Sequence, residues 1–376
     1  MKNNARPLRR ALAMAALAKA ALAIAALLGL AARAGAAGPP PDRPPAPALS
    51  PAAERVLATV HEDLRPLARR FLAAPPPPPL SATSLPALRG MKFMLPPQLA
   101  EPAPQTLRID GPAGARALSL HVVGERAATA KPVLLYLHGG GFVSGAPAMD
   151  VRQLQDIALA VDCIVVSVGY RLAPETVHPG ALEDNLAALQ WLRAHAAELG
   201  GDPTRMAVLG GSAGGGHAAM LSLAMRDRGL PPLRMQVLIY PMLDDRSGSS
   251  QAVPAPFGNM MWNEAANRFG WSALLGVPAG SPQVPDGAVP ARAPSVTGLP
   301  PTFIGVGSID LFLPENLRFA ERLMAASVPT ELLVVPGGFH GFDMVARDTP
   351  VAREFTQRWQ AALRRALAPH PQPASP

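Results

Sequence analysis

At 376 residues, 49% of them apolar and 16% charged, the chain has ample material for a buried core and is too apolar for a mostly disordered polymer. Its net charge of +7 misleads: Lys2, Arg6, Arg9, Arg10, Lys19 and Arg33 stand in the first 38 residues without an acid, so the remainder is nearly neutral and makes no case for nucleic acid. A single cysteine, Cys163, excludes an intrachain disulfide, and its apolar run CIVVSVGY marks it as a core residue.

Residues 1–37 read as a signal peptide: basic residues, then the apolar stretch AALAIAALLGLAA, then AGAA with an A-x-A-type cleavage site. The expected location is periplasmic or secreted. The alternative is an N-terminal membrane anchor, because Ala11–Ala32 is long enough to span, although Lys19 interrupts it. Residues 38–50 form a proline-rich linker. Ser50 followed by Pro51 marks a helix start, with Val56, Leu57, Val60 and Leu64 on one face and Pro66 expected to kink or end it. PPPPP at 75–79 is a rigid spacer, and the segment 51–104 as a whole precedes the main domain.

From residue 105 short apolar runs alternate with helical stretches. The runs are TLRI, ALSLHVV, VLLYL, CIVVSVG, MAVLG, MQVLIY, TFIGVG and ELLVV. Strands apolar on both faces, separated by helices such as 181–199, predict a mostly parallel sheet covered on both sides. The domain is expected to run over 105–368, with 369–376 as a disordered tail.

HGGGF at 138–142 follows the run VLLYL. A glycine loop there lets backbone N–H groups approach a substrate and face developing negative charge; the expected donors are Gly139, Gly140 and Ala213. Ser212 lies in G-x-S-x-G (Gly210 to Gly214), between the strand MAVLG and a helix over 213–227 that begins after its first glycines. This is the pattern of a nucleophile elbow, where side chains at the flanking glycines would clash. A serine needs a base. His340, in the glycine-bounded loop VVPGGFHGFD, has the order and the loop that a base requires, whereas His370 lies in the tail. The acid should leave another strand. Asp310 follows TFIGVGSI and stands one strand before the histidine strand; Asp244 and Asp245, after LIYPML, compete with it, and Glu315 is more distant.

Seven stretches together, HGGGF, YRLAPE, GGSAGGG, YPMLDDR, NRFGW, SIDLF and GFHGF, make the chain resemble the hormone-sensitive-lipase-like branch of the α/β-hydrolase fold, which contains many bacterial carboxylesterases. They cover roughly residues 105–345. The resemblance implies an eight-stranded, mostly parallel sheet flanked by helices, with a small helical cap built from the N-terminal helices and an insertion at about 250–280. It implies Ser212 as nucleophile, His340 as base and Asp310 as its orienting acid, with Gly139, Gly140 and Ala213 as oxyanion donors. It makes YRLAPE a structural turn and YPMLDDR scaffold. Two departures concern the elbow: Gly211 stands where many relatives carry an acid, and Gly216-His217 where many carry asparagine and leucine. His217 is expected on the helix surface or at its cap. Phe142, Phe312 and Phe342 flank the motifs and are expected pocket walls.

The expected function is serine ester hydrolysis through an acyl-enzyme, on short- to medium-chain carboxylic esters, with no metal or organic cofactor. The expected partner is a small-molecule ester, with no nucleic acid; a homodimer is compatible with the sequence. The competing readings are a non-catalytic small-molecule receptor on the same fold, a lactonase, amidase or deacetylase with the same triad, and a lipase working at interfaces.

Overall fold

The computed structural model describes residues 48–90, 96–112, 114–124, 127–258 and 260–369. The proposed signal peptide, most of the linker, His370 and the rest of the tail lie outside the described residues.

Each of the eight apolar runs forms a strand: β1 (Gln105–Ile109), β2 (Leu118–Val123), β3 (Lys131–Leu137), β4 (Ile164–Val168), β5 (Gly201–Gly211), β6 (Met235–Ile239), β7 (Thr302–Gly307) and β8 (Thr330–Val335). They make one sheet in the order β1-β2-β4-β3-β5-β6-β7-β8. β1 pairs antiparallel with β2 and β2 antiparallel with β4; all other pairs are parallel. β4, β6 and β7 are buried at every position, as strands covered on both faces must be. β5 starts several residues before MAVLG, because Gly201 already pairs with Lys131.

The helices divide between the two faces. On one face lie α4 (Val151–Val161) and the C-terminal α10 (Pro350–Leu367), packed with α1 (Pro51–Thr59) and α2 (Arg65–Ala73) through Leu57, Leu67, Ile157, Phe355 and Trp359. On the other lie α5 (Gly180–His195), α6 (Ala213–Asp227), α7 (Glu264–Leu275) and α8 (Leu313–Ala325), around Leu189, Met220, Trp271 and Phe319. Each such fully buried side chain contributes about 1.5–3 kcal/mol by leaving water. Among the described residues there are also two short helices, α3 (Leu85–Gly90) and α9 (Phe342–Val345).

The Ser50 hydroxyl caps α1 by accepting from Ala53 N at 3.2 Å. Pro66 neither kinks nor ends that helix. α1 stops at Thr59, a short turn over Glu62–Leu64 intervenes, and Pro66 falls in the first turn of α2, where its missing N–H is no loss. The glycines after Ser212 are helical from Ala213 onward rather than preceding the helix.

Candidate active site

β5 ends in the turn that carries Ser212. A Cβ on Gly210 would collide with the Gly214 carbonyl, and one on Gly214 with the carbonyls of Leu137 and His138. The chain therefore closes this turn only with glycine at both positions. Gly211 differs, since a Cβ there meets nothing nearer than the Tyr240 ring at 3.5 Å. Ser212 itself is held at φ 57°, ψ −123°, a conformation costing about 1–3 kcal/mol that persists only if its surroundings enforce it. They do: Ser212 N donates to Ile239 O at 2.9 Å, and Ser212 O accepts from Met242 N at 3.0 Å and Gly216 N at 3.1 Å. The serine is clamped between the end of β6 and the start of α6.

His340 and Asp310 reach the same point from the ends of β8 and β7. His340 Nε2 lies 3.0 Å from Ser212 Oγ, and His340 Nδ1 lies 2.9 Å from Asp310 Oδ2. A carboxylate only accepts, so Nδ1 carries the proton and Nε2 presents its lone pair to the hydroxyl. Asp310 is buried and its other oxygen accepts from Phe312 N at 2.9 Å, which fixes the carboxylate. The imidazole is flanked by two ring edges, Tyr240 at 4.7 Å and Phe312 at 5.2 Å between centroids.

The HGGG loop lies beside the elbow: a Cβ on Gly139 would sit 3.1 Å from Gly211 O and 3.6 Å from Ser212 Cβ. Its three successive carbonyls are all engaged. Tyr170 Oη donates to His138 O at 2.6 Å, His138 Nδ1 lies 2.9 Å from Gly139 O, and Gly140 O accepts from Val143 N, Ser144 N and Ser144 Oγ. In a trans peptide the N–H points opposite to the C=O. Tying down the carbonyls of His138 and Gly139 thus turns the N–H groups of Gly139 and Gly140 the other way, off the side on which those carbonyls are held. Burial lowers His138 to about 4, so the ring stays neutral while it holds this loop. Ala213 N is a first-turn amide of α6, with no acceptor inside its helix.

The segments on either side pack onto these loops. His61 N donates to Gly337 O at 3.1 Å, and Phe71 meets Phe339 edge-on at 6.4 Å, so the N-terminal helices lean on the His340 loop. The insertion leans on the HGGG loop. Trp262 fills the space where Gly141 has no side chain, and Gly270 lets α7 approach the Gly141 carbonyl. The Trp262 indole donates to Asn267 Oδ1 at 3.2 Å, and Asn267 Nδ2 donates to Ser247 O at 2.8 Å.

The remaining carboxylates are elsewhere engaged. Asp244 takes a bidentate pair from Arg246 at 2.8 and 2.9 Å, and Asp245 one from Arg292 at 2.8 Å on both arms. Glu315 accepts from Leu243 N, Asp244 N and the Ser247 hydroxyl, and burial pushes it well above its ordinary value. None of the three contacts His340. YRLAPE is a pinned turn, with Arg171 paired to buried Asp184 and Glu175 to Arg89 of α3.

Two expectations need correction. His217 is neither a surface nor a cap residue: it is 1% exposed, its ring lies edge-on to Phe142 and Tyr170, and burial lowers it to about 3. The helix face it occupies points at the HGGG loop rather than at water. Phe142, Phe312 and Phe342 do not line an open pocket, because all three rings are turned inward. Phe142 wedges between His217 and Trp271, Phe342 packs on Phe355 across the opposite face, and only Phe312 touches His340. Trp262 belongs to the aromatic-rich insertion expected to form part of the cap, whereas Tyr170 and Tyr240 contact the site loops with no local signal, since nothing in the sequence marks an aromatic that acts across a long chain separation.

A family model described as the alpha/beta hydrolase fold matches residues 134–344. Esterase LipI of Mycobacterium tuberculosis is 39% identical over 262 residues, covering 69% of this chain and 80% of that protein. Among solved structures, a bacterial heroin esterase aligns with a TM-score of 0.74 at 33% identity over 83% of this chain and 99% of its own. Esterase LipW of Mycobacterium marinum aligns at 0.62 and 38% identity over 71% and 82%. With eight strands in this order and these stretches in this sequence, the chain belongs to the α/β-hydrolase fold family, in its hormone-sensitive-lipase-like branch of carboxylesterases.

Proposed function

We propose that the protein hydrolyses carboxylic esters of short- to medium-chain acids through an acyl-enzyme on Ser212. The reading rests on one observation, the unbroken hydrogen-bond line from Ser212 Oγ through the His340 ring to Asp310 at 3.0 and 2.9 Å. His340 takes the hydroxyl proton through Nε2 as Oγ attacks the ester carbonyl. Asp310 holds the ring in the tautomer that leaves Nε2 free, and stabilises the imidazolium that forms. The amides of Gly139, Gly140 and Ala213 receive the oxyanion. His340 returns the proton to the departing alcohol, and the acyl group stays on Oγ. Water then attacks the acyl carbon as it gives a proton to the same nitrogen, the C–Oγ bond breaks to release the acid, and His340 returns that proton to Ser212 Oγ. We further propose export through residues 1–37, on the pattern of their sequence.

The test is hydrolysis of p-nitrophenyl esters from acetate to laurate by the protein and by Ser212→Ala. Activity should be highest on the short and medium chains and fall by at least about 10⁴-fold in the variant. Activity retained by Ser212→Ala would overturn the nucleophile, and a preference for laurate or emulsified triglyceride would overturn the acyl class.

A further inference from the structure

Asp310 fixes His340 at one point only, Nδ1. A ring held at one nitrogen can still tilt about that hydrogen bond, and tilting swings Nε2 away from Ser212. Phe312 and Tyr240 stand against the ring, and of the two Tyr240 carries a hydroxyl. It leaves β6 at φ 36°, in the left-handed region that a bulky residue rarely enters. That turn is secured by Tyr240 N donating to Gly305 O at 2.6 Å. The result is that its ring stands at 62° to the imidazole with 4.7 Å between centroids. The Tyr240 hydroxyl in turn donates to Asp343 Oδ1 at 2.8 Å. Asp343 stands three residues after His340, in α9. A tyrosine and a carboxylate from segments 103 residues apart thus meet beside the same histidine.

We propose that Tyr240 and Asp343 are a positioning pair for His340, a second support in which the tyrosine holds the ring and the carboxylate stabilises the imidazolium formed during turnover. The inference rests on His340 being the base. The charged and titratable groups around the pair are few. Tyr136 of β3 and Tyr240 approach Asp343 from the sheet, His340 stands beside it, and Asp310 holds Nδ1 of that ring. No lysine or arginine pairs with Asp343 among the described residues; Arg347 and Arg353, next along the chain, pair with Asp156 and Asp348. Withdrawal from water pushes the Asp343 carboxyl up to about 6, against the opposing effect of the Tyr240 hydrogen bond and of His340. Among the described residues, no cation balances it other than the imidazolium that forms on His340.

The experiment is the pH profile of kcat/KM for p-nitrophenyl acetate, with kcat and KM separated, for the full chain, Asp343→Asn, Tyr240→Phe and Ser212→Ala. Removing a nearby negative charge makes the protonated ring less favourable, so the acid limb should move to lower pH. Asp343→Asn should shift it by several tenths of a pH unit and lower kcat roughly three- to tenfold with KM within about twofold. Tyr240→Phe keeps the ring and removes the donor, so Asp343 protonates at higher pH and the limb moves the same way by less. Limbs unmoved in both variants, with any loss of kcat following the melting temperature, would reduce the pair to packing and overturn the inference. If Asp343→Asn does not fold, Tyr240→Phe decides alone. An inactive Ser212→Ala beside unmoved limbs would sink this inference only, whereas an active one would sink the reading beneath it.

Discussion

Two strand exits on this sheet carry buried aspartates, and they are put to opposite uses. At the end of β6, Asp244 and Asp245 pair with Arg246 and Arg292, and Glu315 of α8 binds the backbone amides between. At the end of β7, Asp310 pairs with His340. Burial is equal, since all four carboxyls are at most 1% exposed. The partner differs. An arginine keeps its charge at any working pH, so its pair can only hold the chain in place. A histidine can gain and lose a proton, so its pair can take part in a reaction. Position at a strand end does not separate a structural acid from a chemical one; the side chain opposite it does.

Substitutions on the two exits sharpen that contrast. Asp310→Asn should lower kcat by about 10³- to 10⁴-fold while the melting temperature changes little, because the ring loses its tautomer rather than its place. Asp245→Asn should do the reverse. It leaves the half-buried Arg292 without its counter-charge, at about 1–3 kcal/mol in a denaturant titration, with kcat per folded molecule within a few fold. Should Asp245→Asn instead abolish turnover in a fully stable protein, while Asp310→Asn stays active, the two exits have been assigned the wrong way round.

The next effect concerns a buried histidine that does not contact Ser212. His217 is lowered from 6.5 to about 3 by burial, and its Nδ1 has no hydrogen-bond partner. The unfolded chain takes up this proton first. The stability that the neutral ring allows is complete above about pH 6.5 and is lost as pH falls toward about 3. His217→Leu removes that loss. Relative to the parent, the variant should gain about 2 kcal/mol between pH 7.5 and pH 5 in urea titrations, at 1.36 kcal/mol per pH unit below 6.5. A difference that does not vary with pH would mean the ring is protonated in place.

The smallest effect is expected at Gly211. Its Cβ has room, unlike those of Gly210 and Gly214, so Gly211→Ala should leave stability within about 0.5 kcal/mol and ester hydrolysis within about twofold. A loss as large as that expected for Gly214→Ala would show that the whole elbow, and not its two flanking positions, demands glycine.

Much of this protein was legible in its sequence because it is written locally. Each strand is a short apolar run, and each glycine loop declares itself, since only glycine permits the approach of Gly214 to the Leu137 carbonyl or of Gly141 to Trp262. The order serine, acid, histidine along the chain narrowed the candidates to few residues. Choosing among Asp310, Asp244, Asp245 and Glu315 is harder: the position one strand before the histidine strand favours Asp310, Asp244 and Asp245 compete from another strand exit, and the resemblance demotes those two to scaffold. The inward turn of Phe142, Phe312 and Phe342 and the burial of His217 were misjudged for a shared reason: a motif says which residues are near the site in the chain, not which way a side chain faces.

The sequence by itself determined the alternation of strand and helix, the glycine turns and the residue types at their tips, because periodicity and backbone sterics act over a few residues. Only the tertiary structure decided which acid meets His340, how Tyr170 and His138 aim the HGGG amides, and that Tyr240 joins Asp343 across 103 residues. Those outcomes depend on distances of about 3 Å between segments far apart in the chain. Such distances are set when the two hydrophobic clusters close on the sheet, and no local rule encodes them.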